Sequence, residues 1–139
     1  MPYKLSWYID QRVLLVEGCG VIDEIQLRRQ ALEIRDWLKD SIPPVHLLVD
    51  MSHLVSIVVD ETKVQDITAP MYENTPLGWR LYFGSRDRAK RHLTSITSRL
   101  FHLRTAWFEH KKDALWFLAS LDESLHLLTP SEDEPESKV

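Results

Sequence analysis

Two short segments limit the fold of this chain more than any other feature. Val13–Val16 is continuously apolar, and Val45–Met51 (VHLLVDM) is almost wholly so. Runs this short lack the polar stripe of a surface helix, and a continuous apolar run suits a strand covered on both faces. A sheet buried on both faces requires helices as its cover, so the segments between these runs must supply them.

They do. Tyr3–Asp10 alternates Leu5, Trp7 and Ile9 with Lys4, Ser6 and Tyr8, which predicts a strand. Asp10-Gln11-Arg12 is a short polar turn, so this strand and the next, Arg12–Gly18, should pair antiparallel. Asp23 followed by Gln26 has the capping-box spacing that opens a helix. Leu27, Ala31, Ile34 and Leu38 then form one apolar stripe, and Pro43-Pro44 ends the helix. After the strand Val45–Met51, Asp60 caps a short helix over Asp60–Ala69, and Pro70–Gly78 reads as a loop. Trp79–Gly84 is the fourth strand. Ser85 caps a helix running to His102, with Ala89, Leu93, Ile96 and Leu100 as its stripe. Arg104–Phe108 is the fifth strand, and Lys111–Leu121 is a last helix with Ala114, Leu115, Leu118 and Leu121 inward. The expectation is an α/β domain: a mixed five-stranded sheet with an antiparallel edge hairpin, otherwise mostly parallel, and about four helices.

At 139 residues the chain makes one domain, taken as residues 1–128. Residues 129–139 carry Glu132, Asp133, Glu134 and Glu136 against Lys138, and are expected to stay disordered. The single cysteine, Cys19, excludes a disulfide framework and a Cys-rich zinc site, and is expected as a small buried residue in a tight turn. No secretory pattern is visible, and no apolar run approaches the ~20 residues of a membrane span, which predicts a soluble cytoplasmic protein. The net charge of −4 argues against general nucleic-acid binding. Between Trp79 and Lys112, however, nine Lys and Arg face two acids, which leaves room for an anionic partner.

The segment VHLLVDMSHLVSIVVDE, with Asp50, Ser52, Leu54 and Asp60, resembles the strand and turn of the sulfate-transporter and anti-sigma-factor-antagonist (STAS, or SpoIIAA-like) family. The closing RTAWFEHKKDALWFLASL is similar to the last strand and helix of SpoIIAA-like proteins of unknown function. The resemblance covers roughly residues 3 to 121. It implies a SpoIIAA-like fold and a regulatory module that binds protein partners. Anti-sigma antagonists of the family carry a phosphorylatable Ser at the start of the helix after the third strand. Here that turn is Asp60-Glu61-Thr62, so Glu61 occupies the phosphoacceptor place. A carboxylate there is either a fixed mimic of the phosphorylated state or an ordinary acidic first turn.

Tyr82-Phe83-Gly84-Ser85-Arg86-Asp87-Arg88 runs from a strand through glycine into a helix. Gly84, Ser85, Arg86 and Arg88 are candidates for anion binding, against the plainer reading of a solvated basic helix. The six histidines lack metal-ligand spacing, and His46 reads as a hydrogen-bonded core residue. Asp50, Ser52 and His53 lack the glycines of a nucleophile elbow, so no catalytic set and no cofactor are expected. The five tryptophans should be mostly core, with one or two at a sheet edge available for self-association. Two functions follow. One is a non-catalytic interaction module working through Asp60, Glu61 and Thr62, with self-association as a homodimer open to it. The other, suggested by the likeness of this fold to the lipid-exchange SEC14 domain, is a carrier of an anionic amphiphile. Its pocket would lie under a Pro70–Gly78 lid with Arg86 and Arg88 at the rim.

Overall fold

A computed structural model describes residues 2–85 and 87–126, without the side chains of Arg88 and Ala89. The candidate Arg86, the side chain of Arg88 and the acidic tail therefore lie outside the described residues. Five strands, β1 (Tyr3–Ile9), β2 (Val13–Asp23), β3 (Val45–Val58), β4 (Leu77–Phe83) and β5 (Arg104–Phe108), form one sheet in the order β1-β2-β3-β4-β5. β1 pairs antiparallel to β2, and every other pair is parallel. The helices are α1 (Glu24–Lys39), α2 (Val64–Tyr72), α3 (Arg88–Phe101), α4 (Lys111–Leu121) and α5 (Glu123–His126), with a 3₁₀ turn at Glu61–Lys63.

The apolar runs are covered on both faces, as their composition requires. On one side Leu14, Val16 and Leu47 pack on Ala31, Ile34 and Leu38 of α1 and Met71 of α2. On the other, Val13, Leu48, Leu81 and Phe83 pack on Ala114, Leu115 and Leu118 of α4 and Leu125 of α5. The α1 entry forms as its spacing demands: the Asp23 carboxylate accepts from the Gln26 N–H, and the Gln26 side chain accepts from the Asp23 N–H.

Several boundaries differ from expectation. β2 runs to Asp23 rather than Gly18, and β3 to Val58 rather than Met51. Their extensions pair with each other beyond the end of β4, Cys19 against His53 and Asp23 against Val58, and bury Ile22 and Leu54. Mutual pairing thus supports two segments too mixed in character to read as strands. The expected loop Pro70–Gly78 shrinks to residues 73–76. Pro70 lies inside α2, whose buried Val64, Ile67 and Met71 hold it together, and Leu77 and Gly78 already belong to β4. Burial of that face outweighs the one hydrogen bond proline forfeits. α3 buries Thr94 and Thr97, while Leu100 of the expected stripe is 40% exposed. Leu121 is likewise exposed, and none of the five tryptophans is fully buried, because the large rings sit at layer edges. Cys19 is exposed, its strand position facing outward from the β2–β3 extension.

His46 is buried and hydrogen-bonded, as expected. Its Nδ1 accepts from the Trp79 N–H at 2.9 Å, and its Nε2 lies 3.3 Å from Asp122 Oδ2. Gly78 makes room for this ring: a β-carbon there would sit 2.6 Å from Cε1 and 2.7 Å from Nδ1 of His46. Gly78→Ala should therefore displace the ring and break both bonds, costing about 2 kcal/mol by urea unfolding. A cost near zero would show that the ring moves freely.

Candidate functional site

The turn after β3 is built from its own side chains. Asp60 Oδ1 accepts from the Thr62 N–H at 2.9 Å and the Thr62 hydroxyl at 2.8 Å. Those two bonds hold the Asp60 carboxyl below its ordinary range. Glu61 is left exposed, its Oε1 3.2 Å from Nε2 of His92 on α3. Asp60, Glu61 and Thr62 thus share one solvent-facing turn, in which Asp60 is the cap and the Thr62 hydroxyl is engaged as its donor. Around it the β2–β3 extension and the start of α1 expose apolar side chains: Val21, Ile25, Val55 and Val58 are each more than half exposed. Val58 pairs with Asp23, the residue that caps α1, and Lys63 of the turn lies 3.6 Å from Glu24. The acidic turn and the apolar rim therefore occupy one end of the sheet.

The second candidate stretch is a tight strand-to-helix turn. Gly84 has φ +90°, and a β-carbon there would lie 2.9 Å from the Ser52 backbone nitrogen, so glycine is required on both counts. Ser85 Oγ accepts from the Asp87 N–H at 3.1 Å. Arg86 and Arg88, the charges meant to complete this site, lie outside the described side chains.

The sequence reading missed the arginine that matters most to the interior. Arg80, in the middle of β4, is 1% exposed. Along β4, Leu81 and Phe83 face α4, so Arg80 and Tyr82 face the opposite layer. There Nη1 donates to Tyr72 Oη at 2.8 Å and Thr97 Oγ1 at 2.7 Å. Nη2 donates to the Thr94 carbonyl at 2.9 Å and Thr105 Oγ1 at 3.2 Å. Nε is buried without an acceptor. The guanidinium lies 5.1 Å from the Tyr72 ring centre and 5.2 Å from that of Tyr82, and Tyr82 stacks on Trp107 at 4.5 Å. Burial pushes the Tyr82 hydroxyl pKa upward, so Tyr82 stays neutral. No carboxylate pairs with Arg80 among the described residues. The only signal of this role in the sequence was one arginine inside an otherwise apolar strand. The polar threonines at i and i+3 on α3 were its partners.

Arg80 is one of the residues lining a cavity of about 80 Å³ between the sheet and α1, α2 and α3, whose walls include Val49, Met51, Leu54, Ile34 and Met71. Among the described residues no cluster of His, Cys, Asp and Glu can hold a metal, and no helix is long and apolar enough to cross a membrane.

No family model and no curated protein matches this sequence. Among solved structures, the chain is similar to an uncharacterised DUF3478-family protein with a SpoIIAA-like fold from Shewanella loihica PV-4. Identity is 15% over 84% of this chain and 91% of that one, with a TM-score of 0.59. It is also similar to the anti-sigma factor antagonist SpoIIAA in its unphosphorylated form, at 9% identity over 85% and 96% with a TM-score of 0.58. The phosphorylated form of the Bacillus cell fate determinant SpoIIAA aligns at 6% identity over 84% and 98%, with a TM-score of 0.53. These likenesses establish a SpoIIAA-like fold.

Proposed function

We propose that this SpoIIAA-like domain is a non-catalytic interaction module that docks a protein partner through Asp60, Glu61 and Thr62 and the apolar rim beside them. The observation that supports it is the concentration of exposed Val21, Ile25, Val55 and Val58 around a self-capped acidic turn. Apolar side chains ringed by charge are the composition of a protein-binding patch. Glu61 supplies a permanent negative charge in the place where the resembled family carries a phosphoacceptor. Partner choice then rests on surface shape and charge rather than on a kinase.

Quantitative affinity purification tests this reading with four proteins: the native chain, Val58→Asp, Glu61→Lys and a control, Trp116→Ser. Trp116 is half exposed on α4, on the other face of the sheet. Surface changes of this kind shift stability by only ~0.5 kcal/mol, so folding is retained. The expected result is a protein held by the native chain and the Trp116 variant and depleted about tenfold by both tip variants, as for loss of a hot spot. Identical recovery from all four sinks the proposal, as does selective loss from the Trp116 variant.

A further inference from the structure

We infer that the free edge of β5 accepts an extended acidic peptide as a sixth strand, whose two carboxylates, three residues apart, meet Arg91 and Arg104. The inference does not rest on the docking turn at Asp60, and its readout is at β5 instead.

Three observations carry it. β5 ends the sheet: it pairs with β4 alone, and among the described residues no other main chain bonds to Arg104–Phe108. In a strand bonded on one side, alternate residues turn their N–H and C=O groups outward, where a further strand can take them up. This edge also lacks the usual protection. β1, the opposite edge, carries Lys4 and an irregular register between Trp7 and Ile9, both of which hinder an added strand. β5 (RTAWF) has no lysine, proline or glycine and keeps a regular register through all five residues. Finally, an exposed arginine stands at each face of the edge. Arg91 of α3 lies over the Trp107 ring, 5.0 Å from its centre, and Arg104 begins β5 itself. Neither has a carboxylate partner among the described residues.

The chemistry of the occupant follows from the two faces. Thr105 bonds to Arg80 and Trp107 stacks on Tyr82, so both face α3, while Ala106 and Phe108 pack on the α4 side with Arg104 in step. An added strand places the residue opposite Arg104 on the α4 side and the residue opposite Trp107, beside Arg91, on the α3 side. These positions are three apart, and side chains three apart in a strand point to opposite faces. Carboxylates at that spacing therefore each meet one arginine, whichever way the strand runs. Between them, β-branched residues continue the sheet beside Thr105 and Ala106. A second copy of β5 fits less well, because it adds two more arginines to an edge inside the stretch from Trp79 to Lys112, where nine Lys and Arg face two acids.

The test titrates the full chain at low salt with three acetylated, amidated hexapeptides and follows backbone amide resonances. The first is Thr-Glu-Ile-Val-Glu-Val. The second replaces both glutamates with lysine. The third is the first with N-methyl groups on its Ile and central Val. Of two adjacent residues one aims its N–H at β5, so the third peptide cannot complete the ladder. Saturable shifts centred on residues 105–108 are expected from the first peptide. The lysine peptide should bind at least about tenfold more weakly, since two attractions become two repulsions, and the methylated one should not bind. In the double variant Arg91→Glu, Arg104→Glu the preference between glutamate and lysine peptides should reverse. Both positions are exposed, so the fold is retained. No saturable shift in β5, equal binding of the glutamate and lysine peptides, or undiminished binding of the methylated one overturns the inference. A folded double variant that keeps the native preference does so too. So do β5 shifts that grow with protein concentration before any peptide is added, because a second copy then holds the edge. The native-chain series decides the matter alone if the variant does not fold.

Discussion

Arg80→Ala is expected to remove about 4 kcal/mol of unfolding free energy, the largest single-residue loss in the domain. The side chain fills the layer between β4 and α3, and its truncation leaves a void among Tyr72, Tyr82, Thr94 and Thr97. Large-to-Ala changes in a core cost ~2–5 kcal/mol through lost contacts and the cavity left behind. Arg80→Met separates volume from charge. It keeps most of the bulk and removes a buried cation that has no carboxylate partner among the described residues, which by itself relieves a desolvation cost. The Thr97 hydroxyl already donates to the Thr94 carbonyl at 2.9 Å, so that carbonyl keeps a partner. The Met variant should therefore lose only about 1–2 kcal/mol, in urea unfolding with an unchanged denaturant slope. Equal losses for Ala and Met would show that the hydrogen-bond network, not packing, holds this layer together.

Asp122→Ala is expected to cost about 3 kcal/mol at neutral pH, because one carboxylate holds three partners, Arg12, His46 and Ser124. Oδ2 accepts a hydrogen bond from Arg12 Nη2 at 2.8 Å and faces His46 Nε2 at 3.3 Å, while Oδ1 accepts from the Ser124 hydroxyl at 2.5 Å and its N–H at 3.2 Å. Removing it strands a largely buried Arg12, and losing one partner of a buried pair costs ~3–5 kcal/mol. The modest exposure of both groups places the expectation at the low end.

The same cluster sets the acid limb of stability. Burial lowers the His46 pKa, outweighing the pull of Asp122 toward the charged form. Since Nδ1 accepts from the Trp79 N–H, protonation of the ring also breaks that bond. The unfolded chain thus binds the His46 proton more readily than the folded one. Stability is fully present above about pH 6.5 and falls below it until the folded ring titrates. Burial opposes the charge on Asp122, but bonds from Ser124 and His46 and the charge of Arg12 outweigh it, and its pKa is lowered. That contribution is present above about pH 3.9 and is lost as pH falls through the folded value. Two acid steps are expected. The His46 ring resonance should titrate with a midpoint below 6.5, and a midpoint above it would refute the first step.

Much of this architecture was legible because local signals and burial agree. The Asp23–Gln26 box, the Leu27–Leu38 stripe, the edge hairpin and the Ala114–Leu118 face are each specified within one turn or one strand. The exposed turn at Asp60 was legible too, since its cap is made by residues two apart. Where neighbours distant in sequence decide, the reading fell short. His53–Val58 becomes strand because β2 pairs with it, Pro70 stays helical because Met71 is buried, and Thr94 and Thr97 turn inward because Arg80 waits there.

The sequence by itself determined the layer order: apolar runs too short for helices force a covered sheet, and amphipathic stripes supply the cover. Only the tertiary structure decided which charge would be buried. Nine basic residues between Trp79 and Lys112 look alike in sequence. The one at position 80 lies inside because strand alternation turns it toward α3, where hydroxyls, a carbonyl and two tyrosine rings converge from four separate elements. Such convergence depends on distances between elements, which no local pattern encodes.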